Sequence, residues 1–213
     1  MNRIGYFCTN IFSMIQLENL HNKTVGIAGC GGLGSNCAVA LARVGVGHLI
    51  VVDFDIISES NLNRQYYFHD QIGKSKALML KENIERINPA IKVTALNLKL
   101  DEQNIKEIFN GVDVLVEAFD HSDQKQIIIE TALALWPERP LVIGIGMAGW
   151  GGNDLIHMKQ YGNLFICGDR ISEIGPEMPP LAPRVGIVSN MQANTVLQIL
   201  LEGSRVGVQK NLN

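Results

Sequence analysis

The chain has 213 residues, 46% of them hydrophobic, and its 18 basic and 21 acidic side chains leave a net charge of −3. That length suits one domain with its own core, and that charge excludes a broad basic surface for nucleic acid or anionic membrane. The first twenty residues contain no uninterrupted apolar h-region, and nowhere do about 18 apolar residues run together, so a cytoplasmic protein with no membrane partner is expected.

Apolar residues at positions 7, 11, 14 and 15 predict an N-terminal helix or arm within residues 1–22. Thr24–Ala28 reads as a buried strand, Ser35–Val44 as an Ala-rich helix ended near Gly45, and His48–Asp53 as a second strand rich in β-branched residues. A polar loop follows. Ser75–Asn88 has the spacing of a helix, with Leu78, Leu80, Ile84 and Ile87 on its apolar face and Pro89 as its stop. Lys92–Leu98 alternates as a strand, Asp101 is placed to cap a short helix through Phe109, and Val112–Glu117 is another buried strand. Asp123–Trp136 is a helix halted by Pro137, and Pro140–Ile145 a strand. Beyond Gly146 come two short strand candidates, Asp154–Lys159 and Asn163–Cys167, read as an antiparallel extension. Gly168–Arg184 holds Pro176, Pro179, Pro180 and Pro183, too many breakers for a regular element, and is expected to be a lid or crossover loop. Val185–Leu201 closes the chain as a helix with Ile187, Met191, Val196, Leu197 and Leu200 able to face the core. Strands alternating with helices predict a Rossmann-like, doubly wound α/β domain spanning 1–213, its ligand at the carboxyl ends of the strands.

Three polar sites fall at such ends. Gly29, Gly31 and Gly34 fit G-x-G-x-x-G, where missing side chains permit a tight turn, close approach of a phosphate, and close packing of the next helix on its strand. Right-handed crossover places Asp53 beside that turn, where a carboxylate can hold the ribose of a dinucleotide or of ATP. Asp120 ends a third strand. Arg64, in the loop after Asp53, has the planar fork to clamp a triphosphate. Lys76 opens a helix, where a cation is disfavoured unless an anion shares the site. Cys8, Cys30, Cys37 and Cys167 are scattered with no C-x-x-C pair, so neither a disulfide framework nor a cysteine-based zinc site is expected.

The segments GCGGLGS, VVDFDIISESNLNRQ, IGKSKA, RINP and LAPRVGIVSNMQAN together resemble the ThiF/MoeB/ubiquitin-activating-enzyme superfamily of adenylyltransferases, most closely its short ThiF forms. The resemblance implies adenylation by Mg-ATP of the C-terminal Gly-Gly carboxylate of a ubiquitin-fold sulfur carrier, ThiS-like, in thiamine biosynthesis. It matches Gly29, Gly31, Gly32, Gly34 and Asn61 to nucleotide binding, Asp53 to the ribose, Arg64 and Lys76 to the phosphates, and Asp120 to magnesium. It further implies a homodimer, a sulfur-donor protein, and Arg3 as a candidate to enter a neighbour's site. Phe119 and His121 depart from the family's T-D-N motif, Lys125 stands where relatives have Arg, and the zinc-binding C-x-x-C pairs of larger relatives are missing. Many relatives carry a cysteine just before the L-A-P segment; here Glu173–Pro180 has none, which leaves Cys167 as the nearest thiol for a covalent step. The alternatives are a relative that activates a small-molecule or tRNA carboxylate, and an NAD-binding oxidoreductase. The second would share the glycine turn and Asp53 but have no use for Arg64 and Lys76.

Overall fold

Strands that are apolar on both faces need a sheet covered on both sides. The computed structural model, which describes residues 17–204, is built that way. Strands β1 (Thr24–Ala28), β2 (His48–Val52), β3 (Lys92–Leu96), β4 (Val114–Glu117), β5 (Leu141–Gly144), β6 (His157–Tyr161) and β7 (Leu164–Gly168) form one sheet in the order β3-β2-β1-β4-β5-β7-β6. Every pairing is parallel except β6 with β7. Helix α1 (Gly32–Arg43) follows β1, α2 (Lys76–Ile87) precedes β3, α3 (Glu102–Phe109) and α4 (Ser122–Leu135) flank β4, and α5 (Ala182–Glu202) closes the described chain. Helices α1 and α5 pack on each other, and α3 packs on α4. The strand order reverses between β1 and β4. At this switch point the turn after β1 and the loop after β4 part to opposite faces of the sheet and leave a crevice.

The expected Rossmann-like sheet with its antiparallel extension and closing helix is present, and the Asp101 side chain caps α3 by accepting from Asn104 N at 2.8 Å. Four local readings are corrected. Helix α1 starts at Gly32, inside the glycine run, and not near Ser35. Leu78 is exposed; the inner face of α2 is Ala77, Leu80, Asn83 and Ile84. Helix α5 begins before Pro183, because a proline in the first turn costs no hydrogen bond, and its core face runs through Val185, Val188, Val196 and Ile199 while Ile187 is exposed. Asp154 lies in a one-turn 3-10 helix, Asn153–Leu155, and β6 begins only at His157. The predicted N-terminal helix lies outside the described residues apart from its end, where Leu20 is buried.

Two glycines let α1 start where it does. Gly29 has φ +99, a conformation L side chains rarely adopt, and a Cβ there would also lie 2.8 Å from the Ala118 carbonyl. At Gly34 an added Cβ would lie 1.8 Å from the carbonyl oxygen of Gly29. Gly34→Ala therefore has to push α1 off β1, and urea unfolding is expected to show a loss of about 3 kcal/mol or more. Gly111→Ala, where an added Cβ meets nothing within 4 Å, is expected to stay within about 0.5 kcal/mol of wild type.

Candidate functional site

The crevice is lined along one side by Gly29, Gly31, Gly32, Asp53, Arg64 and Lys76. The other side carries Ala118, Phe119, Asp120, Gln124, Met147 and Pro180. Asp53 ties the ends of β1 and β2 together: its Oδ2 accepts from Cys30 N at 2.6 Å and its Oδ1 from Asp55 N at 2.8 Å. Burial pushes this carboxyl up, against the pull of those two N–H groups and of Lys76.

The two predicted cations are placed by side chains of α1 and of the loop after β2. Ser35 Oγ donates to Gly31 O at 2.7 Å and accepts from Tyr66 N, while Asn36 Nδ2 donates to Gly32 O and to Arg64 O at 2.9 Å. Arg64 is thus held at the mouth of the glycine turn. Its Nη1 donates to Ser60 O and Asn63 Oδ1, and its Nε and Nη2 have no hydrogen-bond partner among the described residues. The buried Tyr67 hydroxyl donates to Cys30 O at 2.7 Å and reaches Lys76 O at 3.2 Å, which links the turn to the start of α2. Lys76 is 6% exposed, and the anion that shares its helix start is Asp55, whose Oδ2 lies 2.7 Å from Lys76 Nζ.

Asp120 projects into solvent at the crevice mouth, its Oδ1 3.9 Å from His121 Nε2. The loop that carries it hangs on Glu117, a fully buried carboxylate at the end of β4. Glu117 Oε1 accepts from Phe119 N at 2.8 Å and Oε2 pairs with Lys125 Nζ at 2.5 Å, with the same ammonium donating to Gly144 O at 3.1 Å. Burial pushes the Glu117 carboxyl up, against the opposing pull of Lys125 and the Phe119 N–H.

Not every matched residue meets this crevice. Asn61 turns its Oδ1 back to Ser58 N at 3.0 Å, and it is absent from the lining. Gly34 is absent too and packs α1 against the turn. Cys167 is fully buried on β7 with its Sγ 3.7 Å from Thr195 Oγ1, and burial pushes the thiol up to about 11. Cys30 and Cys37 are buried as well, so none of the described thiols is offered to the crevice as a thiolate. Arg3 and Cys8 lie outside the described residues.

Sequence reasoning passed over Gln65 and Gln124, both buried lining residues, each with a buried side-chain oxygen that has no partner among the described residues. A glutamine in a polar loop or helix turn reads as surface, and only burial marks it out. It also passed over Asp169 and Arg184, a buried pair at the two ends of the crossover segment. That segment runs beside residues 147–149, with Gly149 N donating to Pro179 O at 2.9 Å and Ala148 N to Ser172 Oγ at 3.2 Å, and it brings Ile174 and Pro180 to the crevice.

Burial alone would raise the Asp169 carboxyl, but the N–H groups of Ser172 and Ile171, the Ser172 hydroxyl and Arg184 bring it down to about 2. A depressed carboxyl stabilises the fold above its unfolded value near pH 4, and that contribution, roughly 2 kcal/mol, is lost as pH falls through about 2. Asp169→Asn is therefore expected to be less stable than wild type at pH 6, with the gap narrowing by about 1 kcal/mol by pH 3 in urea unfolding; parallel curves would contradict the assignment.

Comparison with known proteins bears on this arrangement. The adenylyltransferase and sulfurtransferase MOCS3 of Caenorhabditis briggsae is 33% identical over 198 residues, 88% of this chain and 48% of that protein. The tRNA threonylcarbamoyladenosine dehydratase of Bacillus subtilis is 36% identical over 134 residues, 62% of this chain and 52% of that protein. The chain thus spans about half the length of these curated relatives. Among solved structures, the E. coli tRNA N6-threonylcarbamoyladenosine dehydratase TcdA, in complex with ATP, shares the fold with a TM-score of 0.81 at 20% identity, over 93% of this chain and 94% of that one. The ThiF family model matches residues 8–213, which takes in the glycine turn, the strand-end carboxylates and the crossover segment, and the chain belongs to the ThiF family.

Proposed function

We propose that this chain is an ATP-dependent adenylyltransferase that activates the C-terminal Gly-Gly carboxylate of a ubiquitin-fold sulfur carrier, ThiS-like, with release of pyrophosphate. The observation that carries the reading is that Asp53, Arg64, Lys76 and Asp120 line the same crevice as the glycine turn. A dinucleotide needs the turn and Asp53 only; two cations on one side of the crevice fit a triphosphate. The cradle is open where a phosphate has to come close, since a Cβ added at Gly31 would meet nothing nearer than Gln65 Nε2 at 3.7 Å. Both Asp53 oxygens accept one backbone N–H each and keep a lone pair for ribose hydroxyls.

In this reading a tail carboxylate oxygen attacks the α-phosphorus and the bond to the bridging oxygen of pyrophosphate breaks, that oxygen keeping the electron pair. Acyl adenylate and pyrophosphate result. The chain's part is positioning and charge neutralisation: N–H groups at the start of α1, the Arg64 fork and the Lys76 ammonium, released from Asp55, hold the phosphates. No group of three or more His, Cys, Asp or Glu among the described residues could hold a metal. Magnesium is commonly held by one or two carboxylates with the phosphates, and Asp120 fits that limited part. When bound, magnesium would supply charge stabilisation to the leaving group. We read Cys167 as a core residue and not as an acceptor of the acyl group. A homodimer, a separate sulfur donor and a cytoplasmic setting in thiamine biosynthesis complete the proposal. A second reading, activation of a tRNA carboxylate, draws on the 36% identity to the B. subtilis dehydratase, but a net charge of −3 gives the chain little pull on a polyanion.

Pyrophosphate exchange tests this. With a Gly-Gly-ended carrier the purified chain is expected to move labelled pyrophosphate into ATP, and a carrier lacking its last glycine is expected to support none. Lys76→Ala should lower exchange by about 10²–10³, and Asp120→Ala by at least as much. Exchange that depends on tRNA and ignores every such carrier would overturn the reading.

A further inference from the structure

Gln124 is the third residue of α4 and only 4% exposed, yet its carboxamide makes no hydrogen bond to any described residue, and its buried oxygen is left without a partner. Two ordinary uses for such a group are not taken. A glutamine at that helix position commonly reaches back to the N-cap N–H, and α4 has no capping box. Its neighbour Glu117 is satisfied without it: the carboxylate takes Lys125 and Phe119 N, and the backbone carbonyl accepts from Gln192 Nε2 at 3.0 Å. Gln65 and Gln192 also keep a buried oxygen without a partner among the described residues, whereas Gln71 and Asn83 satisfy each other. Gln71 Nε2 donates to Asn83 Oδ1 at 2.7 Å, and Asn83 Nδ2 to Gln71 Oε1 at 3.0 Å.

The surroundings of Gln124 limit what it can meet. Asp53, Arg64 and Lys76 belong to the β2 and α2 side of the crevice, whereas Gln124 belongs to the β4 side with Ala118, Phe119, Met147, Ile174 and Pro180. Asp120 and His121 stand exposed at the mouth of that side; the rest of it is an apolar slot with one neutral carboxamide, and a phosphate is better served opposite. A tail of two glycines has no side chains to recognise, only peptide groups, and a peptide group buried in an apolar slot is costly unless its N–H and C=O are both paired. A carboxamide supplies both complements, one acceptor and two donors.

The geometry points to Gln124 as the specificity-determining residue that reads the main chain of the carrier's glycine tail, accepting a tail N–H and donating to a tail C=O. This rests on the adenylation reading. It also accounts for a buried oxygen left without a partner in the free protein, an arrangement that lowers stability unless a ligand completes it.

The experiment measures pyrophosphate exchange with two carriers, one with the natural tail and one whose terminal glycine is N-methylated, using wild type and the near-isosteric Gln124→Met. Wild type is expected to show a KM about tenfold or more higher for the methylated tail. Gln124→Met is expected to raise the KM for the natural tail by about tenfold, to leave the KM for ATP within about twofold, and to distinguish the two tails by less than about threefold. The same variant should unfold at a higher urea concentration than wild type, because it loses an unsatisfied polar group without losing volume. A variant that keeps the wild-type tail KM and the full discrimination overturns the inference while leaving adenylation standing. Wild type that shows no carrier-dependent exchange overturns the adenylation reading and this inference with it.

Discussion

The site depends on how closely α1 approaches the turn that precedes it. Gly34 stands against the Gly29 carbonyl at a separation that admits no side chain, so the helix begins inside the glycine run and its first N–H groups open directly onto the crevice. Ser35 and Asn36, the next two residues, are then in place to bind the loop after β2 through Tyr66 N and Arg64 O. A helix started a turn later would lose both contacts. The position of Arg64 is thus a consequence of two missing side chains more than twenty residues earlier in the chain.

A second device recurs around the crevice. Asp53, Glu117 and Asp169 stand at the ends of β2, β4 and β7, and each accepts from the N–H two residues on: Asp55, Phe119 and Ile171. Turning the chain in this way satisfies backbone donors that leave the sheet ladder, and it aims the following loop toward the crevice. Each turn also has a cation close by: Lys76 through Asp55, Lys125 on Glu117, and Arg184 on Asp169. Buried carboxylates with paired cations add little net stability, but losing either partner is costly. They hold the loops in one arrangement, as positioning chemistry requires, since a displacement of about 1 Å at a reacting centre is enough to slow it severely.

Much of the fold was legible because parallel strands buried on both faces are runs of Val, Ile and Leu, and each helix is bounded by a signal such as Asp101, Pro89 or Pro137. Less was legible where tertiary packing overrides the local pattern. Leu78 has the spacing of a core residue and faces out, while Asn83, polar and unremarked, is buried because Gln71 supplies its partner. The site divides the same way. Asp53, Arg64 and Lys76 were readable from motif and charge, but the ion that shares the start of α2, Asp55, is twenty-one residues from its partner. Glu117 looked like one more strand residue until its burial and its hold on Phe119 N were visible. Gln124 carries no sequence signal at all.

In the proposed function this architecture serves one act, bringing a carboxylate tail to the α-phosphorus of a nucleotide whose phosphates would face Arg64 and Lys76. The most direct test is the intact mass of a Gly-Gly-ended carrier after incubation with the chain and Mg-ATP and an acid quench. The proposed activity predicts a carrier heavier by one adenylyl group, with no gain when the terminal glycine is removed. A carrier of unchanged mass beside an adenylylated tRNA or small carboxylate would contradict it.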